Sequence, residues 1–189
     1  MGFLTYIVDR DNYVWADPAV SNYVTITGGA QSDVIAITGT ISGATVNAGA
    51  GNDSVTINGK VVGDGNEIDL GGGSNTLTLN GAVQPGSLNV LVDSGGTYTL
   101  ILQESDVESF ADRYGDWLDD IVTNNLFSGL SSIHFEGWDE GGQSAEELAE
   151  FMATFGDTLN TLHDAGVAIE PEALSDYLAN PSSASSPAA

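Results

Sequence analysis

The chain has 189 residues, of which 27 are acidic and only three, Arg10, Lys60 and Arg113, are basic, so its formal charge at pH 7 is −24. Because no basic patch exists to neutralise phosphates or an anionic membrane surface, we expect neither a nucleic-acid partner nor binding to such a membrane. The absence of cysteine excludes disulfides and thiolate metal sites, and a surface this acidic favours cations or a basic partner.

The first residues indicate neither a membrane anchor nor a signal peptide. No apolar run approaches the roughly 18 residues of a transmembrane helix, so we expect no membrane insertion. Residues 1–8 lack the basic start and the long apolar segment of a cleaved signal.

Residues 5–8 and 13–16 alternate in polarity and predict two strands, which form either a first coil or a hairpin cap.

A glycine-rich turn followed by a short strand recurs along residues 28–80. Each turn ends in an acidic or amide residue, at Asp33, Asp53 and Asn75, with spacings of 20 and 22 residues. The residues two and four places later are apolar, and this period of two predicts strands with one buried face. The apolar pairs are Ile35 and Ile37, Val55 and Ile57, and Leu77 and Leu79, with Tyr13 and Trp15 extending the pattern towards the N-terminus.

Two further columns of apolar residues recur with the same spacing as this repeat. They contain Ile26, Val46, Ile68 and Val90 in one column, and Ile41, Val61 and Val83 in the other. Each repeat of 20 to 22 residues therefore carries three short strands, which bury an apolar face only by stacking on neighbouring repeats. The pattern predicts a mainly β protein in which residues 1–103 form a short parallel β-solenoid.

Residues 48–56, AGAGNDSVT, resemble the nonapeptide G-G-x-G-x-D-x-U-x of repeats-in-toxin (RTX), or haemolysin-type, calcium-binding proteins and lack only its first glycine. The resemblance implies a β-roll in which Ca²⁺ is held between turns by backbone carbonyls and the aspartate. It marks Gly49, Gly51 and Asp53 as the best metal ligands, with Asp33 and Asn75 as weaker ones. It also implies type I secretion, through an uncleaved C-terminal signal, and folding on contact with calcium outside the cell.

The repeat length departs from the RTX pattern. Two nonapeptides per coil would place equivalent turns about 18 residues apart, whereas the spacing in this chain is 20 to 22. Residues 63–67 offer further oxygens at another corner, out of register with the motif. The alternative interpretation is that Asp and Asn cap ordinary solenoid turns through hydrogen bonds to the backbone.

The composition changes at Glu104. Nine acidic residues precede this point and 18 lie at or beyond it. Residues 132–136 alternate like a strand and are suited to return to the end of the solenoid. We expect residues 104–180 to form a helical region that packs on or caps the solenoid, and residues 181–189 to be a disordered tail.

Two capping boxes predict where the helices of this region begin. The first, Ser105 with Glu108, opens a helix over about residues 106–123. The second, Ser144 with Glu147, opens a helix that ends near Gly166. Pro171 suits the first turn of a third, short helix.

The sequence favours a non-enzymatic function. It contains no cysteine nucleophile, G-x-S-x-G elbow, Walker loop or H-E-x-x-H motif, and His134 and His163 are isolated. The leading hypothesis is a secreted, extracellular or cell-surface RTX-like module that binds calcium ions. Its role would be adhesive or surface-structural, with other surface proteins or glycans as partners.

Three alternatives are left open. The first is a metal-free solenoid that self-associates end to end, and the second is a carbohydrate-active solenoid enzyme with acids such as Asp69 or Asp93 on a groove. The third is an ice-binding solenoid with ranks of outward hydroxyl groups. The proposed ranks are Ser54, Thr76 and Thr97, and Thr56, Thr78 and Thr99.

Overall fold

A computed structural model describes residues 3–7, 13–16, 23–103, 107–138 and 144–179. The described chain is mainly β and forms a parallel β-solenoid of about four turns, with equivalent positions of the central turns 20 or 22 residues apart. The predicted fold class is therefore confirmed. The predicted tail at residues 181–189 and the cap at Ser105 lie outside the described residues.

Up to the end of β10 (Gln103), each coil contributes one strand to each of two parallel sheets. The five-stranded sheet contains, in spatial order, β1 (Phe3–Ile7), β3 (Tyr23–Thr27), β5 (Thr45–Asn47), β7 (Asn66–Asp69) and β9 (Leu88–Leu91). The seven-stranded sheet contains, in spatial order, β12 (Ala168–Glu170), β11 (Leu130–Glu136), β10 (Thr97–Gln103), β8 (Ser74–Leu79), β6 (Ser54–Ile57), β4 (Val34–Ile37) and β2 (Tyr13–Ala16). Isolated bridges along Ile41, Val61 and Val83 form a third side.

The registers of the strands reproduce the apolar columns expected from the repeat. Ile35 pairs with Val55 and Val55 with Leu77, and all three are fully buried. The column from Ile26 through Val46 and Ile68 to Val90 is also confirmed. Burying each such side chain contributes about 1.5–3 kcal/mol, so the stacked columns supply the main driving force for coil formation.

The two ends of the series differ from the expected register by one or two residues. At the N-terminus, β1 and β2 pair in parallel with β3 and β4, as a first coil does, but Val14 rather than Tyr13 pairs with Ile35. At the other end, Thr99 rather than Thr97 pairs with Thr76. Thr99 lies eight residues after Leu91, whereas the equivalent Thr76 lies seven residues after Asp69, and this extra residue shifts the register. The proposed hydroxyl ranks are confirmed for Ser54 with Thr76 and for Thr56 with Thr78. Their last members are wrong, because Thr99 and Ile101 take the places expected for Thr97 and Thr99.

Beyond β10 a helix takes the place of each strand of the five-stranded sheet. The first helix joins β10 to β11 and consists of α1 (Val107–Phe110), a π-helical turn (Ala111–Gly115) and α2 (Asp116–Thr123), whereas α3 (Ala145–Asp164) joins β11 to β12 and α4 (Glu172–Ala179) follows. The capping box predicted at the start of α3 is present. The predicted return of residues 132–136 to the sheet is confirmed, because β11 pairs with β10.

The helices share one hydrophobic core with the solenoid. Phe110 lies at its centre, with ring centroids 5.1–5.4 Å from those of Tyr114, Phe135, Phe151 and Phe155. The buried Tyr114 hydroxyl donates to the Leu79 carbonyl at 2.7 Å. In the described ranges no helix is long and apolar enough to cross a membrane.

Candidate functional site: the corner between the two sheets

The predicted metal ligands lie at the turn from a five-stranded-sheet strand to the next seven-stranded-sheet strand, which we call the sheet corner (residues 48–53 and their equivalents in neighbouring coils). Asp33, Asp53 and Asn75 form a column there, because the strands that follow them pair in register. Their exposed fractions are only 1%, 2% and 3%. The column therefore lies inside the solenoid.

Hydrogen bonds join Asp53 and Asn75 to the backbone of the neighbouring turn, and Asp33 to the backbone of its own turn. Asp53 Oδ1 accepts the backbone N–H of Asp33 at 2.7 Å, and Asn75 Oδ1 accepts the backbone N–H of Asp53 at 2.9 Å. Asp33 Oδ2 accepts the N–H of Gly29 at 2.9 Å. The bonds accepted by Asp53 and Asn75 form a ladder that holds successive coils in register. A carboxylate accepts the bond at one step of this ladder, and an uncharged amide accepts it at the next.

Half of the side-chain polar atoms in the column have no hydrogen-bond partner. Asp33 Oδ1, Asp53 Oδ2 and Asn75 Nδ2 are buried without a hydrogen bond. Burial raises the pKa of Asp53, the Asp33 N–H lowers it, and the charge of Asp33 raises it further. Two neighbouring buried carboxylates with free oxygens are costly when both are ionised, so a proton or a cation is needed to offset their charge.

The glycines of the sheet corner are required by the stacking of the coils. A Cβ on Gly49 would lie 2.0 Å from the Gly29 carbonyl oxygen, and one on Gly51 would lie 2.7 Å from the Gln31 backbone. Both residues also have positive φ, at +96° and +143°. The Gly49 carbonyl accepts the N–H of Gly72 at 3.1 Å. Close backbone approach thus accounts for these two glycines without an ion.

The five predicted ligands share one corner but differ in what they offer a cation. Asp33 and Asp53 each present a free, buried carboxylate oxygen, whereas the free atom of Asn75 is an amide nitrogen. Within the described ranges no group of three or more His, Asp or Glu residues is placed to hold a metal ion. Calcium also accepts backbone and water oxygens, so the two carboxylates fit it as the charged part of a site. The ligand assignment stays a prediction.

A second inward amide, Asn66, belongs to a different corner and was not predicted as a functional residue. It is 2% exposed, and its Oδ1 accepts the N–H of Ala44 at 3.0 Å. Its Nδ2 lies within 2.8–3.2 Å of the carbonyls of Val62, Gly63 and Ser87. The sequence does contain its signal, because Asn66 stands two places before a buried isoleucine, as Asp53 stands two places before Val55.

The acids considered for an enzyme do not form a row across neighbouring coils. Asp69 pairs in register with Asn47 on one side and Leu91 on the other, so no carboxylate flanks it. Its Oδ1 accepts the N–H of Gly71 at 2.9 Å, which is a turn-capping contact. Asp93 is exposed in the turn before β10.

No protein-family model, no curated protein and no solved structure matches this chain. The likeness to RTX repeats therefore depends on the nonapeptide at residues 48–56 alone.

Proposed function

We propose that the chain is a non-enzymatic β-solenoid module that binds calcium at the sheet corner, between Asp33 and Asp53. One observation carries this proposal, namely that each of these buried carboxylates has one oxygen without a hydrogen-bond partner. A divalent cation would neutralise both charges at once and supply the missing partner. The formal charge of −24 further favours cation uptake.

In this proposal calcium has a structural role. Asp33 and Asp53 belong to adjacent coils, so an ion held by both would hold those coils together. The acidic sequence and the RTX-like nonapeptide support an extracellular or cell-surface location, where calcium is abundant. An adhesive or surface-structural role, with surface proteins or glycans as partners, follows from the same resemblance.

A metal-free solenoid module is the second candidate. It is favoured by Asn75, which fills the next position of the ladder with a neutral amide and accepts the same kind of backbone hydrogen bond. In this version a proton on the Asp33–Asp53 pair replaces the cation. The raised pKa of Asp53 is the property such a pair requires.

Thermal unfolding separates the two candidates. The wild-type chain is melted in chelator, with Ca²⁺ and with Mg²⁺, beside Asp53→Asn and the control Glu67→Gln, which removes an exposed carboxylate from β7. At calcium 100-fold above the dissociation constant, linkage predicts about 2.7 kcal/mol of stabilisation and a rise in Tm of roughly 5–10 °C. Asp53→Asn should abolish this rise, and Glu67→Gln should keep it.

Two results would reject calcium binding at the sheet corner. If wild type ignores Ca²⁺ and Asp53→Asn is at least as stable as wild type in chelator, the metal-free candidate is correct. If Ca²⁺ raises the Tm of wild type and Asp53→Asn equally, the effect is screening of surface charge.

A further inference from the structure

A cleft on the third side of the solenoid collects two of the three cations in the chain. Lys60 and Arg113 are 53 residues apart in sequence, yet both line a cleft of about 290 Å³ between this side and the first helix. Val83 and Pro85 form part of an apolar wall. The cleft lies on a different side of the coil from the sheet corner. An inference about its ligand is therefore independent of whether the sheet corner binds calcium.

The walls of the cleft are fixed by backbone hydrogen bonds. The N–H of Val83 donates to the Arg113 carbonyl at 2.8 Å, which joins the solenoid to the π-helical turn. On the solenoid side, the N–H of Val61 donates to the Ala82 carbonyl at 2.9 Å. The cleft is therefore preformed, as small-molecule sites usually are. π-Helical turns also occur often at functional sites.

The charges in the cleft are mixed and balanced. Lys60 and Arg113 face a lining that also contains Asp112 and Asp116, so the cleft is close to neutral on a strongly acidic protein. Arg113 Nη1 donates to the Asn80 carbonyl at 3.4 Å. Lys60 is exposed, and its side chain makes no hydrogen bond or ion pair within the part of the chain that the structure describes. Its ammonium group is available to an incoming anion.

We propose that this cleft binds a small molecule that carries one carboxylate together with hydroxyl or ammonium donors. Lys60 contacts the ligand carboxylate, and Asp112 and Asp116 accept hydrogen bonds from its donors. A doubly charged phosphate is disfavoured by the two aspartates, and a fully apolar ligand would leave the Lys60 ammonium group without a partner. The volume limits the ligand to the size of a monosaccharide acid or an amino acid, and these are the two sources of the shared chemistry.

The test is a heteronuclear NMR titration of the full chain in chelator, which removes any contribution of calcium. D-Glucuronate and L-valine are the two probes, D-glucose tests the need for the carboxylate, and acetate tests the need for the donors. We expect saturable shifts of the Lys60–Val62 and Ala82–Gln84 amides with at least one probe, and weaker binding of glucose and acetate. The probe that binds more tightly identifies the source.

Variants at Lys60 assign the binding to the cleft. Lys60→Gln should weaken it about tenfold or more through loss of a charge-assisted bond, whereas Lys60→Arg should retain most of it. Asn89→Asp, an exposed change on β9, alters the net charge as Lys60→Gln does and should leave affinity unchanged. The proposal is overturned if neither probe binds below about 10 mM, if the shifts map elsewhere, or if Lys60→Gln binds as wild type does.

Discussion

Two corners of the solenoid bury Asp or Asn side chains. The corners differ in how many of the polar atoms of these side chains have a hydrogen-bond partner. At the corner of residues 62–66, which we call the Asn66 corner, the oxygen of Asn66 accepts one hydrogen bond and its nitrogen faces three carbonyls. At the sheet corner, Asp33 and Asp53 each leave one buried oxygen without a partner. At the Asn66 corner the protein itself supplies every hydrogen-bond partner. At the sheet corner the two buried carboxylates need a proton or a cation to offset their charge.

The largest expected effect concerns the glycines of the sheet corner. Gly71 and Gly86 have nearly the same φ, +66° and +67°, but a Cβ would lie 1.7 Å from the Gly49 carbonyl oxygen at Gly71 and would meet nothing within 4 Å at Gly86. Gly71→Ala should therefore lower the free energy of unfolding by more than about 3 kcal/mol, and Gly86→Ala by about 1 kcal/mol. Urea unfolding measures both. Equal losses would show that backbone strain, and not coil stacking, explains Gly71.

An exchange of Asn for Asp at the Asn66 corner should be nearly as damaging. Asn66→Asp would place a carboxylate against the carbonyls of Val62, Gly63 and Ser87, where the amide now donates. We expect a loss of about 3 kcal/mol in urea unfolding at pH 7. A loss below about 1 kcal/mol would mean that this corner tolerates charge and that the two corners do not differ as described.

The reverse exchange at the sheet corner should be stabilising in chelator. Asp53→Asn keeps an Oδ1 to accept the N–H of Asp33 and removes one buried charge, so we expect a gain of about 1 kcal/mol at pH 7. Asp53→Ala removes the acceptor as well and should lose about 2 kcal/mol. Urea unfolding of the two variants beside wild type checks the order, and a destabilised Asp53→Asn would contradict it.

The smallest expected effect is a pH dependence confined to the sheet corner. Because burial raises the pKa of Asp53, the folded chain binds this proton more tightly than the unfolded chain. Its contribution to stability is full below the ordinary pKa of an aspartate and is lost as the pH rises through the raised value. In chelator, wild type should therefore gain more stability on acidification from pH 7 than Asp53→Asn does.

A control is needed because acidification also relieves repulsion among the other acids of the chain. Glu67→Gln removes an exposed carboxylate and should keep the pH dependence of wild type. Identical pH profiles for wild type and Asp53→Asn would show that Asp53 does not titrate abnormally.

Most of the solenoid was predictable because its signals are local and periodic. The columns through Ile35 and Ile26 follow from a period of two within each strand and a nearly constant spacing between strands. The shifts at Val14 and Thr99 were missed, because a one-residue change in turn length leaves no mark on the alternation. The short strand β12 and the π-helical turn were also missed, since both depend on packing against distant residues.

The candidate sites also have features that the sequence predicts and features that only the structure reveals. The sequence places Asp33, Asp53 and Asn75 in one column, because they stand at fixed distances before apolar pairs. It does not reveal which of their atoms are used by neighbouring backbone groups, and this decides what the corner can bind. The cleft lined by Lys60 and Arg113 could not be predicted from the sequence, because only the packing of the first helix on the third side brings these two residues together.

The most direct test of the account is calorimetric titration of the full chain with Ca²⁺ at pH 7, comparing wild type with the double variant Asp33→Asn, Asp53→Asn. The double variant retains the acceptor oxygens of the ladder and loses only the buried charges, so its circular dichroism spectrum should match that of wild type. We predict one calcium ion per wild-type chain at this corner and none for the variant. Absence of calcium binding by wild type, or equal binding by the folded double variant, would contradict the assignment of the sheet corner as a calcium site.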